Sequence, residues 1–164
     1  MTPAPAKQPK RPATKRSADS KKAAVPKKPA TRKKAAPADP IRKIALAAAQ
    51  FAIDKKASNV KLIDLRAVTA ITDYFVVASG SSDTQVKAIA DNVIAEMRKQ
   101  DYVPWKSEGW DAKQWIIIDF VDLVVHIFHE TAREFYNLER LWADAPTEII
   151  EDKLSTSKRR TTKG

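Results

Sequence analysis

Two apolar runs of strand length, separated by only two residues, leave this chain little freedom between Trp115 and Phe128. Trp115–Phe120 and Leu123–Phe128 are rich in β-branched and aromatic residues, and Val121-Asp122 alone lies between them. A two-residue loop fixes the register of a hairpin. Asp119 then faces Val124, Ile117 faces His126, and Trp115 faces Phe128. Side chains alternate along strands, so one face reads Ile116, Ile118, Phe120, Leu123, Val125 and Ile127. That face is wholly apolar and belongs to a core. The other reads Trp115, Ile117, Asp119, Val124, His126 and Phe128, and its carboxylate, imidazole and large aromatics suit contact with a partner.

The rest of the chain supplies a sheet and its helices. Asp39-Pro40 reads as a helix cap followed by a first helical position. Ile41, Ile44, Ala45, Ala48, Phe51 and Ala52 continue at helical spacing to about Lys56, and Ser58-Asn59 ends the helix. Val60–Leu65 and Tyr74–Ser79 read as strands. Gly80-Ser81-Ser82-Asp83 turns the chain into a second helix, with a capping box between Ser82 and Gln85 and an apolar stripe from Val86 to Met97. Tyr102–Lys106 reads as an edge strand interrupted by Pro104, and Ser107–Lys113 as a loop. A third helix opens at Thr131 with a capping box to Glu134 and buries Ala132, Phe135, Leu138 and Leu141 or Trp142. The order predicts an α/β domain with a mixed sheet of about five strands and helices packed mainly on one face.

Charge divides the chain. Residues 1–40 hold 12 Lys and Arg against 2 Asp, whereas residues 41–150 hold 13 against 16. Residues 1–38, built from blocks such as KKAAVPKKPATRKKAAPA, are expected to stay disordered, because they bury too little apolar area to offset ordering entropy. Residues 39–146 form the domain, and residues 147–164 a frayed basic tail. The basic tail suits non-specific contact with RNA phosphates, and a solubilising extension is the alternative. The net-acidic domain argues against a globular nucleic-acid-binding surface and suits a basic protein partner. With no cysteine, disulfides and thiolate metal sites are excluded. No apolar stretch reaches the ~18 residues of a membrane span. Eight of the ten prolines fall within residues 1–40, which speaks against the amphipathic helix of a mitochondrial presequence. A soluble cytoplasmic protein without a membrane partner is expected.

The chemistry-bearing residues do not assemble into a catalytic group. Two-metal nucleotidyl transfer requires two acids on one strand face, but Asp119 and Asp122 straddle a turn, where Asp122 is a turn residue. Gly80-Ser81 could cradle a phosphate, but a capped helix turn explains it fully. His126 and His129 point to opposite faces of a strand, which spoils a shared metal site. Neither a metal nor a cofactor is expected. Among Trp105, Trp110 and Trp115, Trp110 is expected exposed in its loop and Trp115 on the mixed face. The predicted partner-binding residues are Trp115, Ile117, Asp119, His126 and Phe128.

DYFVVASGSSDTQVKAIADNV (73–93), the hairpin, and AREFYNLERLW (132–142) together resemble the ribosomal silencing factor, or Iojap, family over roughly residues 41–146. The resemblance implies a sheet domain like the nucleotidyltransferase core and a non-catalytic protein. It implies docking on the large ribosomal subunit through its basic protein number fourteen, which blocks joining of the small subunit and represses translation when nutrients are scarce. A divergent metal-dependent nucleotidyltransferase is the competing reading. The open aromatic face also suits a homodimer of the free protein. The family usually carries Gly at the position of Val121, so the loop here could exceed two residues, and often Pro at that of Glu130.

Overall fold

The computed structural model describes residues 39–152. The expectations for residues 1–38 and 153–164 lie outside the described residues. The chain runs α1 (Pro40–Ile53), β1 (Ser58–Asp64), β2 (Tyr74–Gly80), α2 (Asp83–Arg98), β3 (Lys106–Glu108), β4 (Trp115–Asp119), β5 (Leu123–His129), α3 (Glu130–Tyr136), α4 (Leu138–Leu141) and β6 (Thr147–Ile149). The strands form one mixed sheet in the order β3-β4-β5-β2-β1-β6. Among the described residues only β2 and β5 pair in parallel.

The hairpin has the expected register: Trp115 pairs with Phe128, Ile117 with His126, and Asp119 with Val124. The turn keeps two residues despite Val121. The Asp122 N–H donates to the Phe120 carbonyl at 3.0 Å, and Val121 takes φ +78°, the centre of a γ-turn usually strained for a branched side chain. The Asp119 carboxylate helps hold it, accepting from the Val121 N–H at 2.7 Å. The Asp122 carbonyl accepts from the N–H groups of Asp73 and Tyr74, which ties the turn to the start of β2.

One face of the sheet carries the main core. Ile116, Ile118, Leu123, Val125 and Ile127 meet Val60, Leu62, Tyr74, Val76 and Ala78 from β1 and β2 beneath both long helices. Alanines at 45, 48, 49 and 52 let α1 approach closely, while Val86, Ile89, Ala90, Val93 and Met97 come from α2. Asp39 caps α1 as expected, its Oδ1 accepting from the Arg42 N–H at 3.0 Å while Oδ2 accepts from the Tyr74 hydroxyl at 2.6 Å. Ser82 caps α2, but the capping box is only half formed. Gln85 Oε1 accepts from the Ser81 N–H rather than from Ser82, and its Nε2 donates to the Lys55 and Lys56 carbonyls at the end of α1.

Several boundaries differ from expectation. The first helix ends at Ile53 rather than Lys56, because Lys56 turns to φ +65°. Ser58 and Asn59 begin β1 instead of closing the helix, and an irregularity in the ladder there accommodates Asn59 at φ +50°. The edge strand is Lys106–Glu108, not Tyr102–Lys106. Pro104 lacks an N–H, and the ladder follows only after Trp105 donates to the Asp119 carbonyl. Thr147–Ile149 does not fray but adds a sixth strand antiparallel to β1. An ion pair from Arg42 to Glu148 and the Ile150 N–H bond to the Val60 carbonyl hold it.

Candidate partner-binding face

The second face of the sheet has a different chemistry. A smaller core of Ile63, Val77, Phe128, Ala132, Leu138 and Ala145 packs α3 and α4 over part of it, flanked by the half-buried Phe75, Trp115 and Trp142. Trp115 stacks on Phe128 with ring centroids 4.8 Å apart and leans against Tyr136 at 4.9 Å. Its indole N–H donates to His126 Nδ1 at 3.1 Å. Phe75 meets His126 edge-on at 4.4 Å and Trp142 at 5.7 Å. The result is a continuous aromatic layer from β4 through β5 and β2 to the last helices.

The five predicted contact residues divide by depth. Trp115, Ile117 and Asp119 are half-buried at this face, whereas His126 is 5% exposed and Phe128 fully enclosed. Burial lowers the His126 pKa to about 3, so the ring is neutral. Its Nε2 is buried with no hydrogen-bond partner among the described residues. In the free molecule, His126 and Phe128 therefore support the face from beneath, and Asp119 is partly committed to its own turn.

The remaining candidates have local explanations. His129 caps α3: its Nδ1 accepts from the Thr131 N–H at 3.3 Å. That helix consequently opens at Glu130, and Thr131 is not its cap. Gly80 lies against α2, where an added Cβ would come within 3.1 Å of the Val86 backbone nitrogen. Together with the use of the Ser81 N–H by Gln85, this close packing gives Gly80-Ser81 a structural role. Trp110, expected exposed, is half-buried against the main core, and its indole N–H donates to Ser107 Oγ at 2.9 Å. Among the described residues no group of three or more His, Cys, Asp or Glu is placed to hold a metal ion.

The largest correction concerns the last helix. A single helix from Thr131 was expected to bury Ala132, Phe135, Leu138 and Leu141 or Trp142. Instead Asn137 adopts a left-handed conformation, φ 46° and ψ 54°, and divides it into α3 and α4. Phe135 is 81% exposed, Leu141 75% and Tyr136 50%, whereas Trp142 is half-buried. Arg133 takes the buried place. It donates to the Asn59 carbonyl at 2.6 Å, to Ser79 Oγ at 2.8 Å, and through Nε and Nη2 to Glu139 Oε1. Lys61 reaches the same oxygen at 3.3 Å. This network anchors both short helices to β1 and β2, leaving Tyr136 exposed against Trp115 and Phe135 exposed against Tyr136. Sequence reasoning missed Tyr136, whose only signal was its place in the FYNLERLW segment.

Comparison with known proteins agrees with the fold and the motifs. The chain is 41% identical over 106 residues to the ribosomal silencing factor RsfS of Bacillus subtilis, covering 65% of this chain and 87% of that one. It is 34% identical over 107 residues to the mitochondrial assembly of ribosomal large subunit protein 1 of Mus musculus, covering 57% of this chain and 46% of that one. A crystal structure of a Chromobacterium violaceum protein superposes with a TM-score of 0.62 at 30% identity, covering 63% of this chain and 86% of that one. The family model described as ribosomal silencing factor during starvation matches residues 38–164, and the chain belongs to that family.

Proposed function

We propose that this protein is a non-catalytic factor that docks on the large ribosomal subunit through the open face of its sheet and sterically blocks joining of the small subunit. The observation that carries this reading is the exposed apolar pair of Phe135 and Tyr136, in which Tyr136 lies against Trp115 of the aromatic layer and Phe135 against Tyr136. Large exposed apolar groups next to a half-buried Trp have the composition of a binding hot spot. Trp115, Ile117 and Tyr136 supply apolar contact, Asp119 supplies polar orientation at the edge, and His126 and Phe128 support them from beneath. The mildly acidic domain suits a basic ribosomal protein, and large-subunit protein number fourteen is the proposed partner. The name of the mouse relative, which refers to assembly of the large subunit, points to the same particle. The basic ends reach nearby rRNA phosphates, and the protein acts in the cytoplasm. In the absence of ribosomes, the same apolar face would pair two copies into a homodimer.

Sedimentation with separated ribosomal subunits tests this. The expected result is co-migration with the large subunit alone, resistant to salt and retained without residues 1–38. Trp115→Ala and Tyr136→Ala should each weaken it by about thirtyfold, as a hot-spot truncation of about 2 kcal/mol does. Binding that disappears with the tail or with salt would reduce the interaction to phosphate attraction. Unchanged binding in both variants would place recognition elsewhere.

A further inference from the structure

We propose that His126 is a positioning residue of this face: it accepts the Trp115 indole N–H on Nδ1, holds the ring in one orientation, and removes that N–H from partner recognition. The proposal rests on the reading that Trp115 meets the ribosomal partner.

The geometry specifies the tautomer. The bond is 3.1 Å long and enters at Nδ1, so the neutral ring carries its proton on Nε2. That Nε2–H is buried without an acceptor among the described residues, which is unfavourable. Phe75 and Phe128 flank the ring, so an aliphatic side chain could pack between them and would remove the unmatched Nε2–H. Packing alone therefore does not favour an imidazole here. What the imidazole adds is an acceptor beneath the indole. Burial keeps the ring uncharged through the physiological range, so the acceptor persists.

Recognition changes as a result. A Trp with a free N–H can donate to a partner carbonyl, and its ring can rotate. Trp115 is stacked on Phe128, flanked by Tyr136 and hydrogen-bonded inward, so it offers only ring surface. Such a surface takes an apolar group or the cationic head of Arg or Lys, which matches a basic protein partner.

Two variants of nearly equal size isolate the acceptor. Asn places a carbonyl oxygen where Nδ1 lies, Leu places a methyl there, and both lose the ring. In the full chain labelled with nitrogen-15, wild-type His126 should show the Nε2–H tautomer, and the Trp115 indole N–H should exchange slowly with solvent. His126→Leu should speed that exchange by about tenfold or more and weaken large-subunit binding about tenfold, while His126→Asn stays within about threefold of wild type in both. An Nδ1–H tautomer in wild type, or equal exchange in the two variants, would overturn the proposal. The wild-type tautomer and exchange rate decide the bond even if a variant fails to fold. Weakened binding of Trp115→Ala with unchanged binding of His126→Leu would remove the positioning role alone. Unchanged binding in all three variants would remove the reading of the face, and the positioning role with it.

Discussion

The two faces of this sheet are built to different rules. Beneath α1 and α2, every large side chain from β4 and β5 is aliphatic and buried, and neighbouring residues fill the space. On the other face the buried set includes an imidazole and a guanidinium, while Phe135 and Leu141 stand outside. Apolar burial stabilises the first face and requires nothing from beyond the chain. The second keeps exposed apolar surface and buried polar groups, each needing a specific partner, and that arrangement costs stability. A face arranged for packing alone would have the reverse distribution.

Adjacent residues on β4 test this difference most directly. Ile118 is fully buried under the helices, and Ile117 is half-buried on the open face. Ile118→Ala should lower unfolding free energy by about 3–4 kcal/mol in a denaturant titration, whereas Ile117→Ala should lower it by only about 1 kcal/mol. Equal losses would mean that the two faces do not differ in packing. Arg133→Met should cost about 2–3 kcal/mol, because it leaves the Glu139 carboxylate with Lys61 alone and the Asn59 carbonyl and Ser79 hydroxyl without their donor.

The same network predicts a pH dependence. Burial pushes the Glu139 pKa up, but the hydrogen bond and charge of Arg133, helped by Lys61, outweigh it and hold the carboxyl below its ordinary value of 4.5. A carboxylate depressed in the folded state stabilises the fold above its unfolded pKa, and that contribution is lost as pH falls through the folded value. Wild type should therefore lose stability below about pH 4.5, and Arg133→Met should lose less over the same window. Parallel pH curves for the two proteins would show that the pair is not the source.

At the exposed Phe135 the expected stability change is smaller still. Phe135→Ser should shift unfolding free energy by no more than about 0.5 kcal/mol, since the ring is 81% exposed, yet it should weaken large-subunit binding. A large destabilisation would show that the ring packs against the domain, and unchanged binding would take it out of the contact surface.

How far the sequence could be read follows from the same division. The hairpin register, the Asp39 and Ser82 caps and the apolar stripe of α2 all rest on local spacing, and all appear as expected. Phe135, Leu138 and Leu141 also have helical spacing, but only Leu138 is buried, because Asn137 breaks the period. The burial of Arg133 depends on a carbonyl 74 positions away and a hydroxyl 54 positions away, which no local pattern contains. Strand β6 is three residues of ordinary composition and owes its order to the edge of β1. In the candidate site, Trp115 and Ile117 could be placed on the mixed face from alternation. The depth of His126 and Phe128 could not, since it depends on where the last helices fold back.

The smallest expected effect tests a feature that the two faces share, the turn where both strands reverse. Val121 at φ +78° occupies a region that disfavours a branched side chain, and the Asp119 and Phe120 oxygens hold it there. Glycine adopts that conformation without steric cost but loses more backbone entropy on folding. Relief of strain should slightly exceed that entropy, so Val121→Gly should stabilise the protein by roughly 0.3 kcal/mol, seen as a slightly higher midpoint of denaturant unfolding. Because the register is already set by the ladder, the change should leave large-subunit binding unaltered. A loss of binding would mean that the 57% exposed Val121 side chain belongs to the contact surface, extending the face to the far end of the sheet.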